Sequence, residues 1–262
     1  MGAPAWSKAG RTLEPPSDTR IQLCGRLMVE WRGERREPEL PGRQGRLLFA
    51  YLVLNRHRAV SRDALMEAVW SEGVPRAADT ALAALLSKLR RALGAEAFSG
   101  RGDVRILLPV GAAVDLEVAR EACHRAESAL SGGDAPRAWA AAQTALFIAQ
   151  RGLLAGEDAP WIEDARRDVE VLHVRALEAY GRACLGVGGA ERAAAVRAGR
   201  DLVRLAPLRE SGHALLIEAL AVSGNRAEAL LAYEDLRVRL REDVGIAPGV
   251  GLQELHTRLL RA

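Results

Sequence analysis

Three stretches in the second half of the chain restrict its fold more than any other feature. They read "GDAPRAWAAAQTAL", "GAERAAAVRAGRDL" and "GNRAEALLAYEDL", and each places a glycine five residues before an alanine: Gly133/Ala138, Gly189/Ala194 and Gly224/Ala229. Four residues further on, about one helical turn, stand Ala142, Ala198 and Tyr233. A turn glycine followed by a helix that is small where two helices cross closely is the pattern of tetratricopeptide-like helical hairpins. The copies start 56 and then 35 residues apart, and only the second spacing is near the period of about 34 for such repeats. An insertion is therefore expected in the first copy, at "RGLLAGEDAPW" (Arg151 to Trp161).

Downstream of Asp115 strand signals disappear and alanine, leucine and arginine dominate, so this part reads as all-α. Upstream the pattern differs. The short runs "IQLCG" and "RLMVEW" alternate like strands, and Gly33 among charged residues marks a hairpin turn. Gly42 to Asn55 is apolar enough for a mostly buried helix; "SRDALMEAVW" predicts a second, with Ser61 as N-cap and Ala64, Leu65, Ala68 and Val69 facing inward. Gly73 and Pro75 break the chain, and Asp79 is expected to cap a third helix, "TALAALLSKLRRAL". The run "VRILLPVG" then reads as a β wing or a single strand. Strands, three helices and a terminal β element are the order of a winged helix-turn-helix.

The expected organisation is a disordered arm at 1–19, an α+β winged helix-turn-helix domain at 20–111, and an all-α tetratricopeptide-like domain at 112–262. The arm is inferred from Gly2, Pro4, Gly10, Pro15 and Pro16 without apolar periodicity.

Charge follows the same division. Residues 1–110 hold 18 basic and 12 acidic residues, whereas 111–262 hold 19 and 22, so the basic half comes first. Only Lys8 and Lys88 are lysines, a bias that reflects a GC-rich genome more than a nucleic-acid partner. Cys24, Cys123 and Cys184 are too few and too scattered for a disulfide framework or a zinc cluster, and point to the reducing cytosol. The longest apolar run, Leu47 to Leu54, falls far short of the roughly 20 residues of a membrane helix. "MGAPAWSKAG" lacks the apolar core of a signal peptide.

The third helix carries the functional signal. At 100° per residue, Leu82, Leu85, Leu86, Leu89 and Leu93 form one stripe, and Thr80, Ala84, Ser87 and Arg91 the opposite one, with Ala83 and Lys88 at its margins. A helix entering the major groove needs little bulk on its leading face and donors placed for bases and phosphates. Small residues at 83, 84 and 87 permit that approach, and Lys88, Arg90 and Arg91 supply donors, with Arg101 and Arg105 from the wing. The bland alternative is a surface helix with good helix formers and a cationic last turn.

The segments "LPGRQGRLLFAYLVLNRHRAVSRDALMEAVW", "LLSKLRRALG" and "RESGHALLIEALAVSGNRAEALLAYEDLRVRLREDVGIAPGVGLQELHTRLL" resemble, in that order, bacterial regulators of the Streptomyces antibiotic regulatory protein type. These join a winged helix like the OmpR-type output domain to a bacterial transcriptional activation domain. The resemblance covers nearly everything from Ile21 onward. It implies a DNA-binding activator that sits on promoter repeats as a homodimer and contacts RNA polymerase, or another regulatory protein, through its helical domain. The sequence departs from the family in having Ala83, Ala84 and Leu85 where typical members have polar or aromatic side chains. Base reading would then fall to Thr80, Ser87 and Lys88 and to DNA shape. It also lacks a GxxxxGK[ST] run, so no nucleotide switch is expected.

Other chemistry finds little support. His57, His124, His173, His213 and His256 are not spaced as HExxH, and no G-x-S-x-G occurs. No metal, cofactor or enzymatic activity is expected. The acidic run "GEDAPWIEDARRD" reads as the start of a helix capped by Asp158, with Trp161 in the core and Arg166, Arg167 and Arg175 along a solvated edge. The competing function is a protein-interaction scaffold: the repeat domain holds a partner, and the winged helix binds DNA weakly and without regard to sequence.

Overall fold

A computed structural model describes residues 18–71, 73, 75–100 and 102–261. The expected arm falls mostly on residues 1–17, outside these. Its last two residues are anchored: the Asp18 carbonyl accepts from Gly33 N (2.9 Å), and the Thr19 hydroxyl from Arg32 N (3.0 Å).

The N-terminal sheet is built from β1 (Arg20–Gln22), β2 (Met28–Trp31), β3 (Glu34–Arg35) and β6 (Ala113–Val114), in the order β3-β2-β1-β6. Trp31 pairs with Glu34 across a two-residue turn in which Arg32 and Gly33 both have positive φ (53° and 82°). This is the twist that a tight hairpin requires and glycine tolerates. Three helices follow: α1 (Gly42–Leu54), α2 (Arg62–Val69) and α3 (Ala78–Leu93). Ser61 caps α2 by accepting from Ala64 N (3.3 Å), as its sequence predicts. Strands β4 (Phe98–Ser99) and β5 (Arg105–Ile106) then form a two-stranded wing.

Two expected caps are absent. Asp79 lies inside the first turn of α3, whose N-cap is Ala77, and its carboxylate meets Arg62 Nε at 2.8 Å. Asp158 does not cap the next domain's long helix either. Ala159 holds that position ahead of Pro160, a residue suited to the first turn because it has no N–H to leave unpaired.

The helical domain consists of α4 (Asp115–Ser131), α5 (Ala135–Ala149), α6 (Pro160–Val187), α7 (Arg192–Leu205), α8 (Glu210–Val222), α9 (Arg226–Asp243) and α10 (Val250–Arg261). Helices α4/α5, α6/α7 and α8/α9 are the three hairpins foreseen from the repeat. Gly133, Gly189 and Gly224 all take positive φ at the turns, and Ala138, Ala194, Ala229, Ala142, Ala198 and Tyr233 are all buried. Gly199 shows how close the crossing is: a Cβ there would lie 2.7 Å from Leu216 Cα.

The segment between α5 and α6 is the expected insertion, and it is also where the two halves join. Leu154 N donates to Leu23 O (2.8 Å), Ala155 N to Gly25 O (2.7 Å) and Gly25 N to Gly152 O (2.6 Å). Glu157 takes Arg46 Nε at 2.6 Å, and the Trp161 indole donates to Ala68 O at the end of α2 (3.0 Å) while packing edge-on against Tyr51. Arg166 is not a solvated charge. It donates to the carbonyls of Leu153, Leu154 and Glu157 and so ties the insertion to α6. No spacer separates the sheet from the helices: β6 ends at Val114, α4 begins at Asp115, and the Asp115 carboxylate accepts from Leu23 N and Cys24 N. One apolar core runs from Ile21 of β1 through α1 and α3 to Leu172 and Ala176 of α6.

Candidate nucleic-acid interface

Helix α3 divides as its sequence requires. Leu82, Leu85, Leu86, Leu89 and Leu93 are buried against the rest of the winged helix, together with Ala78. Thr80, Ala83, Ala84, Ser87, Lys88 and Arg91 are exposed on the other side. The helix ends where Gly94, at φ +99°, turns the chain and donates its N–H to Arg90 O. Arg90 and Arg91 lie in the last turn, where cations suit the helix dipole.

The other expected donors are placed differently. Arg90 is half-buried and leans away from the leading face toward the wing, its guanidinium carbon 5.9 Å from the Phe98 ring centroid. Arg105 is exposed on β5, but its Nε donates to Arg56 O at 2.9 Å, which commits one edge of the guanidinium to the turn after α1. Arg101 lies outside the described residues. Thr80, Ala84, Ser87, Lys88 and Arg91 thus form one continuous strip, with Arg90 behind it and Arg105 to the side.

Sequence reasoning missed Arg62. As the first residue of α2 it projects beside α3, with Nε on the Asp79 carboxylate and Nη2 3.2 Å from the Asp79 carbonyl. Its place after the Ser61 cap is visible in the sequence, but its nearness to residues 79–90 arises only from the packing of α2 on α3.

Among the described residues, neither Lys88, Arg90 nor Arg91 forms an ion pair, and nor do Arg58, Arg76 and the wing's Arg105, whereas Arg32, Arg35, Arg36, Arg43, Arg46, Arg56 and Arg62 each meet a carboxylate. Unneutralised cations on a helix with no bulk in front are suited to a polyanion with a groove.

Among the described residues, the rest of the structure offers no comparable chemical site. Burial pushes the Cys24 thiol up to about 12, and Cys123 and Cys184 to about 11, so none presents a thiolate at neutral pH. Among the described residues no cluster of three metal-ligating side chains occurs, and no helix is long and apolar enough to cross a membrane.

A winged helix with an open cationic third helix, fused to stacked helical hairpins, is the architecture of a transcription regulator. The chain belongs to the bacterial transcriptional activator domain family, in its Streptomyces antibiotic regulatory protein branch: the model of that domain matches residues 114–260, and the model described as "Transcriptional regulatory protein, C terminal" matches residues 35–104. It is 33% identical over 220 residues to the regulatory protein AfsR of Streptomyces coelicolor, covering 84% of this chain and 22% of AfsR. To the regulatory protein DnrI of Streptomyces peucetius it is 27% identical, over 92% of each. A solved structure of Mycobacterium tuberculosis EmbR in complex with a low-affinity phosphopeptide superposes with a TM-score of 0.82 at 27% identity, covering 93% of this chain and 65% of that one. The chain thus spans only about a fifth of AfsR.

Proposed function

We propose that the protein is a DNA-binding transcriptional activator of the cytoplasm that places α3 in the major groove of promoter repeats. Lys88 and Arg91 bond phosphates or guanine, Thr80 and Ser87 reach base edges, and Ala83 and Ala84 let the backbone approach. Two copies act together on the DNA, and the helical domain contacts RNA polymerase or a partner regulator. The observation that carries this reading is the exposed strip of α3, small in front and bearing cations that no carboxylate of the described residues neutralises.

A second reading has its own support. Ala83 and Ala84 bring no donor to the leading face, which suits a scaffold whose helical domain holds the functional partner. Sequencing genomic fragments retained by the purified protein at two salt concentrations separates the two. A repeated motif that survives the higher salt is the activator's signature. Uniform, salt-labile retention selects the scaffold.

A further inference from the structure

Beside the leading strip of α3 lies a separate feature, a cleft of about 510 Å³ between α3 and the wing. Arg62, Ala83, Leu86, Arg90, Phe98 and Gly100 line it. Three elements converge there: the start of α2, one flank of α3 and the base of the wing. Its character is set by two guanidiniums facing a space that the side chain at 83 is too small to fill.

Both arginines are held in place. Arg90 lies over the Phe98 ring and points Nη2 toward the Gly100 carbonyl, 3.5 Å away, which restricts a long side chain that would otherwise sample many rotamers. Arg62 is held by Asp79 and is three-quarters buried. Gly100 is fixed by the turn of the wing: its φ is +86°, and a Cβ there would meet the Asp103 carbonyl oxygen at 1.9 Å. No larger residue fits that turn.

We infer that this cleft is the seat of one DNA backbone phosphate, gripped between Arg62 and Arg90, and that the Asp79 carboxylate stands in for it while the protein is free. The inference rests on the reading that α3 lies in a groove. It adds a contact outside the leading face, from a residue of α2. The chemistry is that of exchange between like acceptors. A guanidinium presents a planar fork that accepts a carboxylate or a phosphate in the same geometry, and the Asp79 side chain, 73% exposed, can swing into solvent when a phosphate arrives. An exposed pair of this kind holds weakly, so the stand-in can be displaced. It also repels DNA that approaches without seating a phosphate.

The test is fluorescence anisotropy of the full chain with a labelled mixed-sequence duplex over a range of salt, since a phosphate contact is blind to sequence. Arg62→Gln should weaken binding several-fold and lower the slope of log K against log salt by about 0.9, the loss of one phosphate contact. Asp79→Asn should tighten binding by about two- to fivefold, the scale of an exposed ion pair. That gain should vanish when Arg62→Gln is already present, because nothing is then left for Asp79 to occupy. Arg62→Lys should keep the slope but lose affinity, since charge remains and the fork does not. This variant and Asp79→Asn carry the test should Arg62→Gln melt early.

An unchanged slope in Arg62→Gln, while Arg91→Ala lowers it, overturns the seat and leaves α3 in its groove. A gain from Asp79→Asn that persists without Arg62 reduces Asp79 to simple repulsion and overturns the stand-in. Failure of the parent protein to bind the duplex removes both readings together.

Discussion

The arginines of the helical domain and those at the end of α3 are the same side chain put to different uses. In the helical domain several staple helices: Arg175 reaches Glu127 from α6 to α4, Arg200 reaches Glu228 from α7 to α9, and Arg209 reaches Glu178 across the α7–α8 turn to α6. On α3, Lys88, Arg90 and Arg91 meet no carboxylate among the described residues. The count of arginines therefore says little about partners. What distinguishes the stapling arginines from those of α3 is whether the fold has already supplied a counter-charge.

The sharpest way to test that contrast is to cut the two faces of α3 separately. Leu89→Ala removes a fully buried side chain and should cost about 2–5 kcal/mol of stability, read by thermal or denaturant unfolding; an unshifted melt would mean the leucine stripe is not the packed face. Arg91→Ala should leave the melt alone, weaken DNA binding roughly tenfold (~1.4 kcal/mol), and lower the salt slope by about 0.9. Arg204→Ala, which loses only its pairing with Asp201, should change neither affinity nor slope. An equal effect of the two arginine variants would erase the distinction between the regions.

A fourth change probes the join. Trp161→Phe keeps a ring against Tyr51 but loses the bond to Ala68 O, and should destabilise the protein by about 1 kcal/mol. Unfolding should remain a single transition; two separated transitions would show that the core shared by the halves does not couple them. The smallest effect is expected at Glu127. The bond from Arg175 holds its carboxyl below the ordinary carboxylate value, so the stability it contributes is present above the unfolded value and is lost as pH falls through the folded one. Because the pair is partly exposed, Glu127→Gln should cost no more than about 0.5 kcal/mol near neutrality, and the parent and variant curves should converge in acid.

Much of this architecture is legible in the sequence because it is local. The leucine stripe of α3, the Ser61 cap, the Arg32–Gly33 turn and the glycine–alanine spacing all operate within a few residues, and periodicity reports them directly. The failures share a different cause. Asp79 and Asp158 have the chemistry of caps, but the helices begin elsewhere, α3 two residues earlier than a cap at Asp79 would place it and α6 at a proline. Strand β6 has only two residues and pairs in parallel with a strand more than ninety positions away, so no run of alternation announces it. Val114 thereby joins the first sheet from beyond the expected boundary at 111/112. Arg62 gives no functional signal in the sequence, and Arg166 reads there as part of a solvated edge, for the same reason: each gains its place from a neighbour that only the tertiary fold supplies. The candidate site was thus visible as a helix face, while the cleft beside it was not.

The direct passage from β6 into α4 has a consequence for anyone who would exchange parts among such regulators. A crossover placed between Val114 and Asp115 separates the carboxylate from the Leu23 and Cys24 amides that it satisfies, and the insertion from the edge it covers. Chimeras that trade the winged helix alone inherit a mismatched seam and should express poorly. Those that carry Asp115 and residues 150–166 along with it keep the seam whole. In this chain the transferable unit is the winged helix together with its clasp, and recombination that respects this unit can change the DNA address without rebuilding the repeats.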